Sequence, residues 1–152
     1  MGLNANQIPI YANKPKTGVG IISASSNTVT LGSNTNAATI YTAEATVGSR
    51  VTSLLASTDD TVTVNVFLFI LRSGTIVQPI GLVNVPLSSG NTNAARFPVD
   101  MLDPSNLPGL PIDQYGKRYI DLGPGDVLKC GALANLTAAK SCWVTAIAND
   151  YA

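Results

Sequence analysis

The sequence predicts an all-β chain, a single β-sandwich (jelly-roll-like) domain with an extended N-terminal arm, and three observations carry that expectation. Charged residues make up 12% of the 152-residue chain, about half the usual ~25%, and the only Glu is Glu44. The strong helix formers that a solvent-facing helix needs are therefore missing. In their place stand β-branched residues and turn formers. Finally, Val62, Val64, Val66, Leu68 and Ile70 recur at period two opposite Thr61, Thr63 and Asn65, the pattern of a strand with one buried face. A chain of this length builds one core without crosslinks.

Residues 1–36 read as a polar arm rich in Asn, Ser, Thr and Gly, and residues 37–152 as the sandwich. Short apolar pieces interrupt the arm: Ile8, Ile10 and Tyr11, then Val19, Ile21 and Ile22, then Val29 and Leu31. Each is an edge strand or a contact laid along a partner. Lys14-Pro15-Lys16-Thr17-Gly18 has neither phosphate-loop spacing nor a following helix, so it reads as arm or strand lead-in. Asn34 to Thr46 is the first core strand, with Ile40 and Thr42 on one face and Thr39, Tyr41 and Ala43 on the other.

Arg50 to Leu55 is the next run, and Asp59-Asp60 is a polar turn. In the stretch Val62 to Leu71 the second face also becomes apolar, through Phe67, Phe69 and Leu71. That face must be covered by the chain's own loops or by a neighbouring subunit. Ser73-Gly74 marks a hairpin, and Ile76 to Val85 returns, with Pro79 and Pro86 marking bulges or an edge. The fragment Asn34–Ala38 recurs at Asn91–Ala95, a chance repeat in low-complexity sequence.

Residues 97–125 form a proline-rich loop too long for a plain connection. Met101, Leu102, Leu107, Leu110 and Ile112 are apolar beyond what a solvated loop needs; they either pack across the end of their own sandwich or dock onto a partner. Lys117 to Leu122 is a short strand. Val127–Leu133 and Ser141–Ala148 then read as a terminal hairpin, which sets Cys130 opposite Cys142. A disulfide there is geometrically conceivable, and two buried thiols are the expected state in a reducing compartment. Trp143 reads as a core anchor, with glycan stacking as the sharper alternative.

No His occurs, so Ser-His-Asp and Cys-His catalysis is impossible. The adjacent Asp59 and Asp60 point to opposite faces in a strand, and Asp100, Asp103 and Asp113 lack calcium-loop spacing. No enzymatic activity, cofactor or metal is expected. The net charge is zero without a basic stripe, which speaks against nucleic acid. No apolar run reaches the ~18 residues of a membrane span. The start, Met1 to Asn6, lacks signal-peptide and myristoylation features. A neutral chain poor in charge is weakly protected against self-association, which favours a surface covered in an assembly.

Two stretches carry a family resemblance. Ala38 to Ala43, followed by Gly48-Ser49-Arg50-Val51, resembles the opening strand and turn of small bacteriophage virion proteins with a β-sandwich fold. Leu122 to Leu128, Trp143 to Ala146 and the closing Asp150-Tyr151 resemble their ends. The resemblance covers Ala38 to Tyr151 and rests on short patterns. It implies a non-enzymatic capsid cement or decoration subunit assembled in the host cytoplasm. The expected partners are the major capsid protein and neighbouring copies, with a homotrimer on a symmetry axis. The candidate contacts are Ile8, Ile10, Tyr11, Ile21, Ile22, Met101, Leu102, Leu107, Leu110 and Ile112. A tail-associated receptor- or carbohydrate-binding protein is the alternative. Deleting residues 2–20 is expected to leave a folded protein that no longer attaches.

Overall fold

A computed structural model describes residues 14–23, 35–90 and 97–151. Their regular structure is nine strands: β1 (Lys14–Ser23), β2 (Ala38–Thr42), β3 (Ser49–Thr58), β4 (Val64–Arg72), β5 (Ile76–Val85), β6 (Val99–Asp100), β7 (Ile120–Leu122), β8 (Val127–Ala132) and β9 (Ser141–Asp150). A front sheet has the order β1-β9-β3-β6, with β7 also pairing β3. A back sheet has the order β2-β8-β4-β5. All pairings are antiparallel. The chain alternates between sheets, β1 front, β2 back, β3 front, β4 back, and later β8 back, β9 front. That is the wiring of a jelly roll.

Period-two patterning builds each layer. On β9, Cys142, Val144, Ala146 and Ala148 are fully buried, while Trp143, Thr145 and Ile147 face outward. On β4, Val64, Val66, Leu68 and Ile70 fill the shared core, as the alternation predicts; the strand starts at Val64, with Val62 exposed. The β4–β5 hairpin turns through Ser73 and Gly74, both at positive φ (51° and 73°), the conformation a tight hairpin favours. β5 is an edge strand. Its register shifts opposite Leu68/Phe69, so Ile80 is left over beside Pro79, which fits the proline reading.

Four expectations change. Residues 14–23 are a core-bearing strand paired with β9 along its whole length, so they belong to the sandwich rather than to an arm. Ile22 is completely buried. A deletion of residues 2–20 would remove most of β1 and uncover Ile22 and Val144, so it would not leave an intact fold. β1 also lies unusually close to β2: a Cβ on Gly18 would fall 2.1 Å from the Ile40 carbonyl oxygen, and one on Gly20 would meet Ile40 and Cys130. Only glycine permits that closure of the sandwich edge.

β2 does not alternate as expected. A bulge between Thr39 and Tyr41 turns both Ile40 and Tyr41 into the core while Thr42 stays exposed. β8 and β9 are not a hairpin. They lie in different sheets, so Cys130 sits opposite Ala38 and Leu68, and Cys142 opposite Ile22 and Thr58. Both are buried free thiols.

The fourth narrows an expectation about β4 that left both the chain's own loops and a neighbouring subunit open. Phe67 and Phe69, on the outer face of the back sheet, stack with centroids 5.3 Å apart and are buried within the single chain. Ala37, Val77 and Leu133 pack against them, and Leu71 is buried too. No second subunit is required there.

Candidate functional site: the outer face of the front sheet

The pairing registers align three rows across the outside of β1, β9 and β3. They read Ile21–Trp143–Ser57, Val19–Thr145–Leu55 and Thr17–Ile147–Ser53. None of these nine side chains is charged. Ile21 is 52% exposed, Val19 50%, Ile147 45% and Leu55 38%, and Trp143 is half-buried among them. Single exposed apolar residues are ordinary; a contiguous run on three adjacent strands is the kind of patch that marks an interaction surface. Phe97, 88% exposed, borders the same corner. Its neighbour Pro98 meets Gly90, which sits on Ser57.

The rim is polar and rigid. At one end Arg50 donates two hydrogen bonds to Asp121 (2.8 and 3.1 Å) and one to the Tyr151 hydroxyl. Its guanidinium lies 3.8 Å from the centroid of the Tyr119 ring, a cation–π contact. Burial and the Asp121 carboxylate push the Tyr151 phenol up to about 12. The Arg50 charge is thus fully engaged. Beneath this end, Asp150 is buried and accepts hydrogen bonds from Tyr41 and Ser49, each 2.6 Å. Burial alone would raise its carboxyl, but those donors and the charges of Lys16 and Lys14 outweigh it, so it lies below the ordinary value. The cluster ties β2, β3 and β9 together.

At the other end Asp60, also fully buried, accepts from the Thr137 amide (2.9 Å) and hydroxyl (2.6 Å) and from the Val62 amide. Burial pushes this carboxyl up, and the Thr137 and backbone donors bring it down below its ordinary value. Asp59 accepts from the Ser141 amide. The pair therefore fastens the β8–β9 crossover to the β3–β4 turn, which is a structural role. Burial and the charges of Asp60 and Asp59 push the Cys142 thiol up to about 12. Burial raises Cys130 as well, so both thiols stay protonated and unreactive.

The long loop is spent internally. Met101, Leu102 and Leu107 belong to the core. The Met101 amide donates to the Leu54 carbonyl at 2.8 Å, and Leu107 fills the space over Gly81. Arg118 gathers the carbonyls of Leu107, Pro108 and Leu110, pinning the loop across the open edge between β3 and β5. A cleft of about 560 Å³ remains between this loop and β5. Its polar groups already have partners: Arg72 binds Gln78 and Asp126, and the Asn106 amide donates to Asp100.

The predicted contacts therefore scatter. Ile8, Ile10 and Tyr11 lie outside the described residues, as do Val29 to Leu31 and the second copy of the Asn-Thr-Asn-Ala-Ala fragment. Ile22, Met101, Leu102 and Leu107 are buried in the core, and Leu110 packs partly against it. These five are structural side chains rather than free contact points. Only Ile21 and Ile112 are exposed, and Ile112 lies on a separate loop beside Tyr115. Sequence reasoning missed Leu55, Ile147 and Phe97, while it read Val19 as part of an edge strand or a partner contact and Trp143 as a core anchor with glycan stacking as the alternative. The signal for Trp143 and Ile147 was present in the alternation of β9, whose inward set of Cys, Val and Ala is complete without them. Among the described residues no group of three or more His, Cys, Asp or Glu is placed to hold a metal, and no helix is long and apolar enough to cross a membrane. Comparison with family models, curated proteins and solved structures finds no match to this chain.

Proposed function

We propose that this chain is a non-enzymatic structural subunit that attaches as an oligomer to a larger protein shell, as a capsid cement or decoration subunit does. The single observation that carries the reading is the uncharged, partly apolar outer face of β1, β9 and β3. A soluble sandwich has no folding reason to keep that face bare, because the core is filled from the other side. The shell as partner, and the virion as location, follow from the resemblance in Ala38 to Tyr151. Weak contacts repeated around a trimer would give attachment through avidity.

Co-sedimentation with purified shells tests the reading. The full chain is expected to pellet with them, and Ile21→Glu, placed on the face beside Trp143, is expected to lose occupancy while keeping its unfolding midpoint. A wild-type chain that stays in the supernatant, or an Ile21→Glu variant at full occupancy, overturns it.

The partly exposed Trp143 and the exposed Phe97 favour one second reading, a receptor- or carbohydrate-binding sandwich that stacks a sugar on an aromatic ring. Glycan-array binding that Trp143→Ala abolishes would select it over the shell.

A further inference from the structure

The front-sheet face lacks only an occupant, and the chain contains a segment suited to it. Residues 1–13 carry no side chain that is charged at neutral pH; the first in the chain is Lys14. They include Leu3, Ile8, Ile10 and Tyr11 among Asn, Gln and Ala. We propose that the N-terminal segment 1–13 of a second copy of this chain docks lengthwise on the outer face of the front sheet, joining subunits through exchanged arms. The inference rests on the oligomeric reading above and names what covers the face.

Charge matching supports this occupant. An uncharged segment laid on nine uncharged side chains buries no unpaired ion, a cost that is severe at interfaces. Its Asn and Gln side chains meet the hydroxyls of Thr17, Thr145 and Ser53, which accept and donate. Reach is sufficient as well. Thirteen extended residues span roughly 43 Å, longer than the roughly 33 Å of a ten-residue strand. Pro9 deprives the segment of a backbone donor, which handicaps it as an added edge strand but not as a ribbon docked by its side chains.

Area decides against one other arrangement. The exposed parts of Val19, Ile21, Leu55, Ile147 and Trp143 amount to on the order of a few hundred Å², short of the ~800 Å² per partner of a stable interface. Two bare faces pressed together would therefore bind weakly. A wrapping segment adds its own surface, and each subunit gives one segment and receives one, which closes into a ring wherever the rotation between subunits allows it. The occupant is assigned to another copy because a chain's own segment would have to reverse direction at Lys14, where the pairing of β1 with β9 begins, before it could lie back along the same face.

The test is crosslinking between singly substituted full-length chains. Ile10→Cys and Ile147→Cys proteins are mixed and mildly oxidised; Cys130 and Cys142 are buried, so wild type is the silent control. A covalent heterodimer in the mixture, together with an oligomer by light scattering for wild type and a monomer for Ile10→Asp, is the expected result. A monomeric wild type overturns the proposal, and so does a mixture that forms no heterodimer. A doubly substituted chain that closes only on itself would place the segment on its own sheet and would equally refute exchange. Because no shell is present, a crosslink without shell binding sinks the cement reading alone, and shell binding without a crosslink sinks this inference alone.

Discussion

On the back sheet, the outward side of β4 carries Phe67, Phe69 and Leu71, and the chain closes over them with Ala37, Val77 and Leu133 around the two rings. On the front sheet, the outward side of β9 carries Trp143, Thr145 and Ile147, flanked by Val19, Ile21 and Leu55; the chain leaves the four aliphatic residues exposed and covers Trp143 and Thr145 only in part. Local sequence left the Phe face open to the chain's own loops or a neighbouring subunit, and read Trp143 as a core anchor with glycan stacking as the alternative. A strand apolar on both sides reports that both sides are covered without saying by what. A strand that alternates cleanly reports one covered side, and its large outward residues are then the ones left over for partners. The more informative observation is therefore the apolar residue out of phase with the core set, not the most hydrophobic run.

The sharpest way to break this comparison is to truncate one residue on each face. Phe69→Ala is expected to cost about 3–5 kcal/mol, because a fully buried ring leaves a cavity. Ile147→Ala, on the front face, is expected to stay within about 0.5 kcal/mol. Urea unfolding of the two variants checks this. Equal losses would mean that the front face is as structural as the back one, and the case for an open surface would collapse.

Next in size is Asp60→Ala. It strands the Thr137 amide and hydroxyl and the Val62 amide at once, and loss of charge-assisted bonds at a buried site costs about 2–3 kcal/mol. The damage should be local to the crossover that carries the chain from the back sheet into β9. Hydrogen exchange should therefore accelerate at Thr137 and Ser141 while the amides of Phe67 and Phe69 stay protected. Uniform acceleration would show that the two faces do not differ in how they are held.

The fold class, the nature of β4, the β4–β5 turn and the β5 edge were readable from local chemistry: period two, Ser73-Gly74, Pro79. What local chemistry could not carry was pairing. Val127–Leu133 and Ser141–Ala148 look like hairpin arms from spacing alone. Only Asp59 and Asp60, more than seventy residues earlier, reveal where the connection between them is fastened. The same holds for the site. Val19, Trp143 and Leu55 are far apart in sequence and become neighbours only through the registers of β1, β9 and β3. The proline-rich loop was ambiguous for a related reason: Met101 and Leu107 look alike as core plugs and as docking residues until Leu54 and Gly81 are seen opposite them.

Acid distinguishes the ends of the front sheet from its middle. Asp150 and Asp60 both lie below their ordinary value of 3.8 when folded. A depressed carboxylate contributes stability that is fully present above the unfolded value and is lost as pH falls through the folded one. Asp150→Asn is thus expected to lower stability at neutral pH, with the gap to wild type closing below the ordinary carboxylate range. Denaturation midpoints across that range measure it. A gap independent of pH would mean that Asp150 acts through shape alone rather than through its charge.

The smallest expected signal is the most direct report on the open face. Trp143 is the only Trp in the chain, and it sits half-buried between Ile21 and Ser57. Neither a shielded core Trp nor a fully exposed sugar-stacking Trp describes it. Acrylamide should quench it to an intermediate degree in a dilute, monomeric sample. Quenching should then fall as concentration rises and the face is covered, and Ile21→Glu should remove that dependence without changing the dilute value. An unquenched Trp143 at every dilution would return the ring to the protein interior and leave the front sheet with only scattered apolar side chains. A concentration-independent, intermediate value would keep the geometry and deny that anything made by this chain covers it. The two outcomes separate the shape of the face from its use.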